Sequence, residues 1–101
     1  MGIRPVPKKA IWYTPDKKKK MKGTVIKEEW IEEHYPHGDY RKVIQLIKPD
    51  EGGEDIIRLG YYLKRKDESD GEYHWGSQTT IMMPKTNFRK LIEKAQKSEI
   101  I

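Results

Sequence analysis

Residues 54–65 constrain this chain most, because apolar side chains there alternate with cationic and small ones. At a period of two, one face carries Ile57, Leu59, Tyr61 and Leu63, and the other carries Arg58, Gly60, Tyr62 and Lys64. Such a strand can cover a core with its apolar face and present cations and an aromatic ring on the other. Those groups suit the backbone and bases of a nucleic-acid strand.

Three other segments predict strands, separated by turn-rich residues 35–39, 49–53 and 66–71. In residues 24–34, Ile26, Trp30 and His34 also fit a helix, but the β-branched start and the lack of a helix cap favour a strand. Residues 40–48 and 72–83 predict the other two. In the last strand, Tyr73, Trp75, Thr79 and Ile81 share a face, and Gly76 is a candidate bulge.

A helix is predicted after Pro84, because apolar residues recur at i, i+3, i+4 and i+7 as Phe88, Leu91, Ile92 and Ala95. The predicted fold is therefore α+β, a four-stranded antiparallel sheet followed by one C-terminal helix packed on one face (ββββα). We expect Phe88 and Leu91 to be buried against Leu59 and Tyr61, with the opposite face of the sheet left open.

The positive charge is concentrated near the N-terminus. Residues 1–24 hold eight basic groups and one acidic group, whereas the remaining 77 residues hold 13 basic and 15 acidic groups. We predict a basic extended arm over residues 1–23 and one α+β nucleic-acid-binding domain over residues 24–101. Residues 10–14 form either a brief edge strand or an apolar patch that pins the arm. The lysine run suits phosphate contacts, and a solubilising tail or an import signal is the alternative.

Composition and motifs argue against several kinds of site. The chain has no cysteine, so a disulfide framework and a thiolate metal site are excluded. His34, His37, Asp39 and His74 are the only candidates for metal or acid–base chemistry, and they show no complete ligand set. No Gly-rich phosphate loop precedes a helix. We therefore predict no enzyme activity, no metal and no cofactor. No apolar run is long enough for a membrane span, so we expect a cytoplasmic or nucleoid-associated protein, nuclear if the source is eukaryotic.

Several short segments resemble the single-stranded-DNA-binding domain of positive-cofactor-four type transcriptional coactivators. They are Asp55-Ile56-Ile57-Arg58, Tyr61-Tyr62, Gly71-Glu72-Tyr73-His74-Trp75, Thr80-Ile81, Pro84, and Phe88 with Leu91. The resemblance covers roughly the C-terminal half of the chain. It implies four strands followed by a helix, a homodimer formed through the helices, and curved sheets that bind single strands. The chain departs from that family at residues 78–80, where Gln-Thr-Thr replaces a Lys-Gly pair.

The first hypothesis is a protein that binds single-stranded DNA or RNA, forms a homodimer and acts in transcription or DNA maintenance. The predicted nucleic-acid-binding residues are Lys17, Lys18, Lys19, Lys20, Lys22, Lys42, Arg58, Tyr62, Lys64, His74 and Gln78. One alternative is a protein-interaction or regulatory module whose Tyr and Trp side chains bind a partner. A weaker alternative is a hydrolase that uses the histidine turn.

Overall fold

The chain folds as one antiparallel sheet with a single C-terminal helix. The computed structural model describes residues 3–14, 16, 18–67, 70–76 and 81–101. The elements are β1 (Lys8–Tyr13), β2 (Lys20–Tyr35), β3 (Gly38–Pro49), β4 (Ile56–Arg65), β5 (His74–Trp75) and α1 (Lys85–Lys97). The strands lie side by side in chain order, β1-β2-β3-β4-β5. The predicted α+β class is confirmed, and the described residues form five strands in place of the predicted four.

The additional strand comes from the segment predicted to be a basic arm. β1 pairs antiparallel with β2 from Lys8 opposite Val25 to Tyr13 opposite Lys20. Ala10 is buried in this pairing, at 5% exposure. Residues 8–13 and 20–23 therefore belong to the sheet, and of the two alternatives for residues 10–14 the edge strand is confirmed.

The strand prediction for residues 24–34 is confirmed, since these residues lie within β2. β2 and β3 are joined by a two-residue turn, Pro36-His37, with Tyr35 opposite Gly38. The register shifts between Val25 and Lys27, so Ile26 is an extra residue with no partner in β3. A β-bulge of this kind bends the strand and increases its twist. Gly76, where a bulge was predicted, lies one residue beyond the end of β5 and is not among the paired residues of β4 and β5.

The last strand is much shorter than predicted. β5 consists of His74 and Trp75, paired with Leu63 and Tyr62 of β4. Residues 77–80 lie outside the described residues. The predicted face shared by Tyr73, Trp75, Thr79 and Ile81 includes one of them, Thr79. Ile81 and Met82 follow on the side of the sheet that carries Lys42, because the Lys42 ammonium donates to the Met82 carbonyl oxygen at 2.6 Å.

The helix covers β2 and β3, not β4. Leu91 and Ala95, both fully buried, contact Ile31 of β2 and Ile44 of β3. We call this side of the sheet the helix face. Polar contacts to β2 fix the helix position: the Lys94 ammonium donates to the Trp30 carbonyl at 2.7 Å, and the Lys27 ammonium to the Ser98 carbonyl at 2.9 Å.

The expected partners of the helix were therefore wrong. Leu59 lies on the helix face, since it is paired with Ile44, but it is 44% exposed, and Phe88 is 43% exposed. The physical reason is the set of side-chain to backbone hydrogen bonds that draws α1 toward β2 and away from β4. The predicted assignment of the β4 side chains to two faces was correct, because Tyr61 and Leu63 also lie on the helix face, opposite Lys42 and Tyr40.

The other side of the sheet is not an open face. The sheet curls so far that Lys8 of β1 reaches Tyr62 of β4, with 2.7 Å between the ammonium nitrogen and the hydroxyl oxygen. The Arg58 guanidinium also donates to the Ile11 carbonyl, at 3.3 Å. We call this side the concave face. A second small core lies on it, formed by Ala10, Val25 and Ile47. Among the described residues no helix is long and apolar enough to cross a membrane.

The position of the helix predicts unequal effects for two apolar residues. Leu91→Ala should lower the free energy of unfolding by about 2–5 kcal/mol, because it empties a fully buried site. Phe88→Ala should cost less than about 2 kcal/mol, because nearly half of its surface already contacts water. Urea denaturation followed by circular dichroism measures both. Equal losses would show that the helix sits closer to β4.

Candidate nucleic-acid interface

A polar network lies in the middle of the concave face, built by the strand register. Arg58, Gln45 and Glu28 lie directly opposite one another across β4, β3 and β2. The Arg58 Nε donates to the Gln45 amide oxygen at 2.7 Å, and the Gln45 Nε2 donates to a Glu28 oxygen at 2.6 Å. Lys8 and Tyr62 complete this set, which we call the concave-face network.

Lys8 and Glu28 form the ion pair of the network, and both side chains are more than nine-tenths buried. The Lys8 ammonium donates to Glu28 Oε1 at 3.0 Å, and the Tyr62 hydroxyl donates to Glu28 Oε2 at 3.2 Å. Gln45 is fully buried. No buried side-chain nitrogen or oxygen among the described residues lacks a hydrogen-bond partner. Buried charges are tolerated only when they are satisfied in this way.

Burial and charge together fix the protonation states of the network. Burial, and then the adjacent Glu28 carboxylate, raise the pKa of Tyr62 well above its usual value, so its hydroxyl stays neutral and acts as a donor. Burial lowers the pKa of Arg58, while Tyr62 and Glu28 oppose that shift. The guanidinium remains charged at neutral pH, because the ordinary pKa of arginine is so high.

Trp75 is the most exposed aromatic side chain of this face, at 42% exposure. The register places it opposite Tyr62, with ring centroids 5.0 Å apart in an edge-on contact. The Arg58 guanidinium lies over the indole, 4.5 Å from the ring centroid. Gly60 makes this position possible, since a Cβ there would overlap the indole. The Trp75 ring is thus held by neighbours on one side and reaches solvent on the other.

A second group of cations and rings follows along the same face. The Arg41 guanidinium lies 5.0 Å from the centroids of both Trp30 and Tyr73. The Lys64 ammonium is also 5.0 Å from the Tyr73 ring. Glu32 accepts a hydrogen bond from Arg41 Nε at 2.9 Å. Cations placed over rings in this way have restricted positions, so this part of the face is ordered before any ligand arrives.

A cavity of about 420 Å³ opens on the concave face between β1 and β5. Its lining includes Arg4, Lys9, Arg58, Tyr73, His74 and Trp75. Arg4 and Lys9 are exposed and form no ion pair with any residue that the structure describes. Lys9 alternates with Lys8 and Ala10 of the concave face, so its side chain points away from that face and Arg4 is the exposed cation of the cavity. The cavity therefore combines unneutralised positive charge with an exposed indole.

The structure brings together three of the predicted site residues and separates others. Arg58, Tyr62 and Lys64 share the concave face, but Tyr62 is only 9% exposed, so its ring cannot serve as the exposed stacking platform that was expected. The reason is the curl of the sheet, which brings Lys8 and Trp75 over it.

Lys42 does not lie on the concave face, and His74 lines the cavity although its strand position belongs to the other face. Lys42 is paired with Tyr61, so it lies on the helix face, where it is 7% exposed. His74 is paired with Leu63 and its ring lies 2.8 Å from Asp70. The error was one of register, because a shift of one residue exchanges the two faces of a strand.

The lysines of the predicted basic run lie in two parts of the structure, the start of β2 and the turn before it. Lys20 and Lys22 are paired with Tyr13 and Ile11, and they alternate with the concave-face residue Gly23, so they point away from the concave face. Lys18 and Lys19 lie in the turn before β2, where Lys19 forms an exposed ion pair with Glu51 at 3.2 Å. Lys17 and Gln78 lie outside the described residues.

Sequence reasoning missed several contributors to this face: Arg4, Lys8, Glu28, Trp30, Arg41, Gln45, Tyr73 and Trp75. The alternation in β2 and β3 contains Trp30 and Arg41, but their common face depends on the register that the turn at residues 36–37 sets between the two strands. Trp75 could have been placed beside Tyr62 only with the register of β4 and β5. Lys8 carries no such signal, since its partners are distant in sequence.

The histidine turn shows ordinary polar contacts. A ring nitrogen of His34 lies 2.9 Å from Asp39, and a ring nitrogen of His37 lies 2.8 Å from the Tyr40 hydroxyl. In the parts of the chain that the structure describes, no three His, Asp or Glu side chains are grouped to hold a metal ion.

Comparison with known proteins finds no family model, no curated protein and no solved structure that matches this chain. The resemblance to positive-cofactor-four type coactivators therefore stays a prediction that depends on the short segments quoted above. The functional argument depends on the geometry of the concave face itself.

The buried ion pair predicts a large difference between two lysines. Lys8→Met leaves the Glu28 carboxylate buried without its cation, and we expect the free energy of unfolding to fall by about 3–5 kcal/mol. Lys19→Met removes an exposed ion pair and should change it by less than about 1 kcal/mol. Chemical denaturation of both variants measures the difference. A Lys8→Met protein as stable as wild type would show that β1 does not hold the sheet in its curled form.

Proposed function

We propose that the protein binds single-stranded nucleic acid on its concave face, with DNA as the first ligand to test. The observation that carries the proposal is the exposed indole of Trp75, positioned by Arg58 at the edge of a cavity lined by the exposed cation Arg4. The resemblance described above suggests a role in transcription or DNA maintenance.

The indole supplies the base contact. Every nucleobase has a flat π-face, so an exposed aromatic ring stacks on it whatever the sequence, at about 1–3 kcal/mol per base. Arg58 and Tyr62 hold Trp75 from behind, so little side-chain entropy is lost when a base stacks on its open side. This gives Trp75 the role that was first expected of Tyr62.

The cations supply the backbone contact. Arg4 makes no ion pair with a described residue, so it is available for a phosphate, whereas Lys8 and Arg41 are neutralised by Glu28 and Glu32. Counterion release from the nucleic acid then provides much of the binding free energy. Lys18, Lys20 and Lys22 lie off this face and extend the positive surface toward the turn before β2.

A protein-interaction module is the second candidate, and apolar surface on the helix face favours it. Ile57, Leu59 and Phe88 are each between 41% and 44% exposed. The same surface is available to the homodimer implied by the resemblance. Sedimentation velocity over a range of protein concentrations distinguishes a self-associating chain from a monomer that uses this surface to bind a different protein.

Stacking on Trp75 predicts a selective loss of affinity. Trp75→Ala should weaken binding of a fluorescein-labelled single strand by about 5- to 150-fold in an anisotropy titration, the equivalent of one stacked base. Phe88→Ala, an aromatic residue of equal exposure on the helix face, is the matched control and should leave affinity unchanged. Equal affinity of the wild type and the Trp75→Ala variant would place the ligand elsewhere.

A phosphate contact by Arg4 predicts a change in salt dependence. The variant Arg4→Gln should reduce the slope of log affinity against log salt by about 0.7, the contribution of one contact with a single strand. The variant Lys90→Gln removes one exposed charge of α1 and should keep the slope.

The same titration decides between the two candidate functions. Single-stranded DNA, single-stranded RNA and duplex DNA are compared at two salt concentrations. Single strands should bind more tightly than the duplex, because the bases of a duplex are not available for stacking. If no nucleic acid binds at low salt, the proposal fails and the protein-interaction module takes its place.

A further inference from the structure

A second cavity lies on the helix face, at the end of the sheet where β2 turns into β3. It has a volume of about 270 Å³ and is lined by Tyr35, His37, Tyr40, Lys42, Tyr61, Ile81 and Met82. We call it the aromatic pocket. It lies on the opposite side of the sheet from Trp75 and shares no lining residue with the cavity of the concave face.

The walls of the aromatic pocket are four rings that contact one another in sequence. The His37 ring is stacked on Tyr35 with centroids 5.9 Å apart, and Tyr40 contacts both rings edge-on at 5.5 Å. Tyr61 lies 5.7 Å from Tyr40. The ring of Tyr61 is fixed from outside, since a Cβ at Gly76 would overlap it. A ligand would therefore meet preformed aromatic surfaces.

The floor of the aromatic pocket is a neutralised ion pair. The Lys42 ammonium donates to Glu33 Oε1 at 3.0 Å and to the Met82 carbonyl at 2.6 Å. Burial would raise the pKa of Glu33, but hydrogen bonds from Asn87, Lys42 and Tyr35 outweigh it and lower that pKa. Glu33 is therefore ionised at neutral pH and its charge balances that of Lys42.

Two polar groups of the aromatic pocket remain available to a ligand. An ammonium group has three donors, and the two bonds above leave the third without a hydrogen-bond partner among the described residues. The Lys42 nitrogen lies 5.2 Å from the centroid of the Tyr40 ring. The Tyr61 hydroxyl also has no hydrogen-bond partner there, and its oxygen is accessible, since no buried side-chain oxygen of the described residues lacks a partner. A ligand that fits this pocket therefore needs a flat apolar surface and at least one hydrogen-bond acceptor.

We propose that the aromatic pocket binds one planar heteroaromatic base of the nucleobase type. Such a base offers a π-face to the tyrosines and ring nitrogens or carbonyl oxygens to Lys42 and Tyr61. An organic cation, the other common ligand of aromatic cages, is disfavoured because the Lys42 ammonium already occupies the cation position. An aliphatic ligand would leave both polar groups without acceptors.

The base can reach the pocket from two sources, a free nucleotide or an unstacked base of a bound strand. Only the second source depends on the function proposed above. Shifts of the protein amide resonances in two-dimensional NMR spectra distinguish the two sources, with adenosine monophosphate and a twelve-nucleotide oligodeoxyadenylate as probes. Ribose 5-phosphate, which lacks the base, is the control for binding through phosphate alone.

Adenosine monophosphate at millimolar concentration should shift the amide resonances of residues 35–42 and 61 and leave those near Trp75 in place. His37→Ala should weaken this binding by about 2- to 12-fold, the equivalent of one aromatic contact. His34→Ala changes an exposed histidine of the same hairpin that lies outside the pocket and should have no effect. Tyr61→Phe keeps the ring and removes the hydroxyl, so a loss of affinity in this variant reports the hydrogen bond.

Four outcomes complete the test. Shifts at the pocket with the mononucleotide assign it to free nucleotides, and shifts with the oligonucleotide alone assign it to a base of the strand. Equal shifts with ribose 5-phosphate, or no shifts at residues 35–42 with either nucleotide, overturn the proposal. Trp75→Ala separates the two sites: it should weaken the oligonucleotide titration on the concave face and leave mononucleotide shifts at the aromatic pocket unchanged.

Discussion

The contact between Lys8 and Glu28 connects the edge strand β1 to the interior of the sheet, and the concave face depends on it. Lys8 also donates to Tyr62, so a single ammonium joins β1, β2 and β4. A buried carboxylate without this cation would carry a desolvation cost of several kcal/mol. The ion pair therefore favours the curled sheet over a flat one, in which Lys8 and Tyr62 would be three strands apart.

The two faces of the sheet are organised by different forces. On the helix face, apolar burial of Leu91 and Ala95 is combined with hydrogen bonds from Lys94 and Asn87 to β2. On the concave face, most of the interior is polar and fully satisfied, and the apolar cluster of Ala10, Val25 and Ile47 is small. Polar networks of this type specify a geometry more strongly than apolar contacts do, because each member must meet its partners at a fixed distance.

Local sequence patterns predicted most of the secondary structure. The alternation in residues 54–65 gave the correct faces of β4, and the 3.6-residue period after Pro84 gave α1. What the patterns could not supply was register and curvature. Lys42 was assigned to the face of Tyr62, yet its partner across the strands is Tyr61. Tyr62 was expected to be exposed, but the approach of Lys8 from 54 residues away buries it.

The candidate site was predicted by residue type more accurately than by position. A cationic and aromatic surface is present, but its exposed ring is Trp75, and Arg4 is the exposed cation that lines the cavity without an ion pair to a described residue. Their proximity results from long-range closure, to which β1, β4 and β5 all contribute. No pattern within one segment carries that information, since a segment reveals its own period and not the curvature of the sheet around it.

The bulge at Ile26 has a consequence for how this sheet tolerates changes in chain length. Val25 and Glu28 both lie on the concave face because Ile26 has no partner in β3. Shortening β2 by that one residue would restore strict alternation and leave every other side chain on its present face. The composition of both faces would survive, but the additional twist would not. The approach of the two edges of the sheet thus depends on one supernumerary residue as well as on the Lys8–Glu28 pair, and a deletion there would move the edges apart while every side chain kept its face.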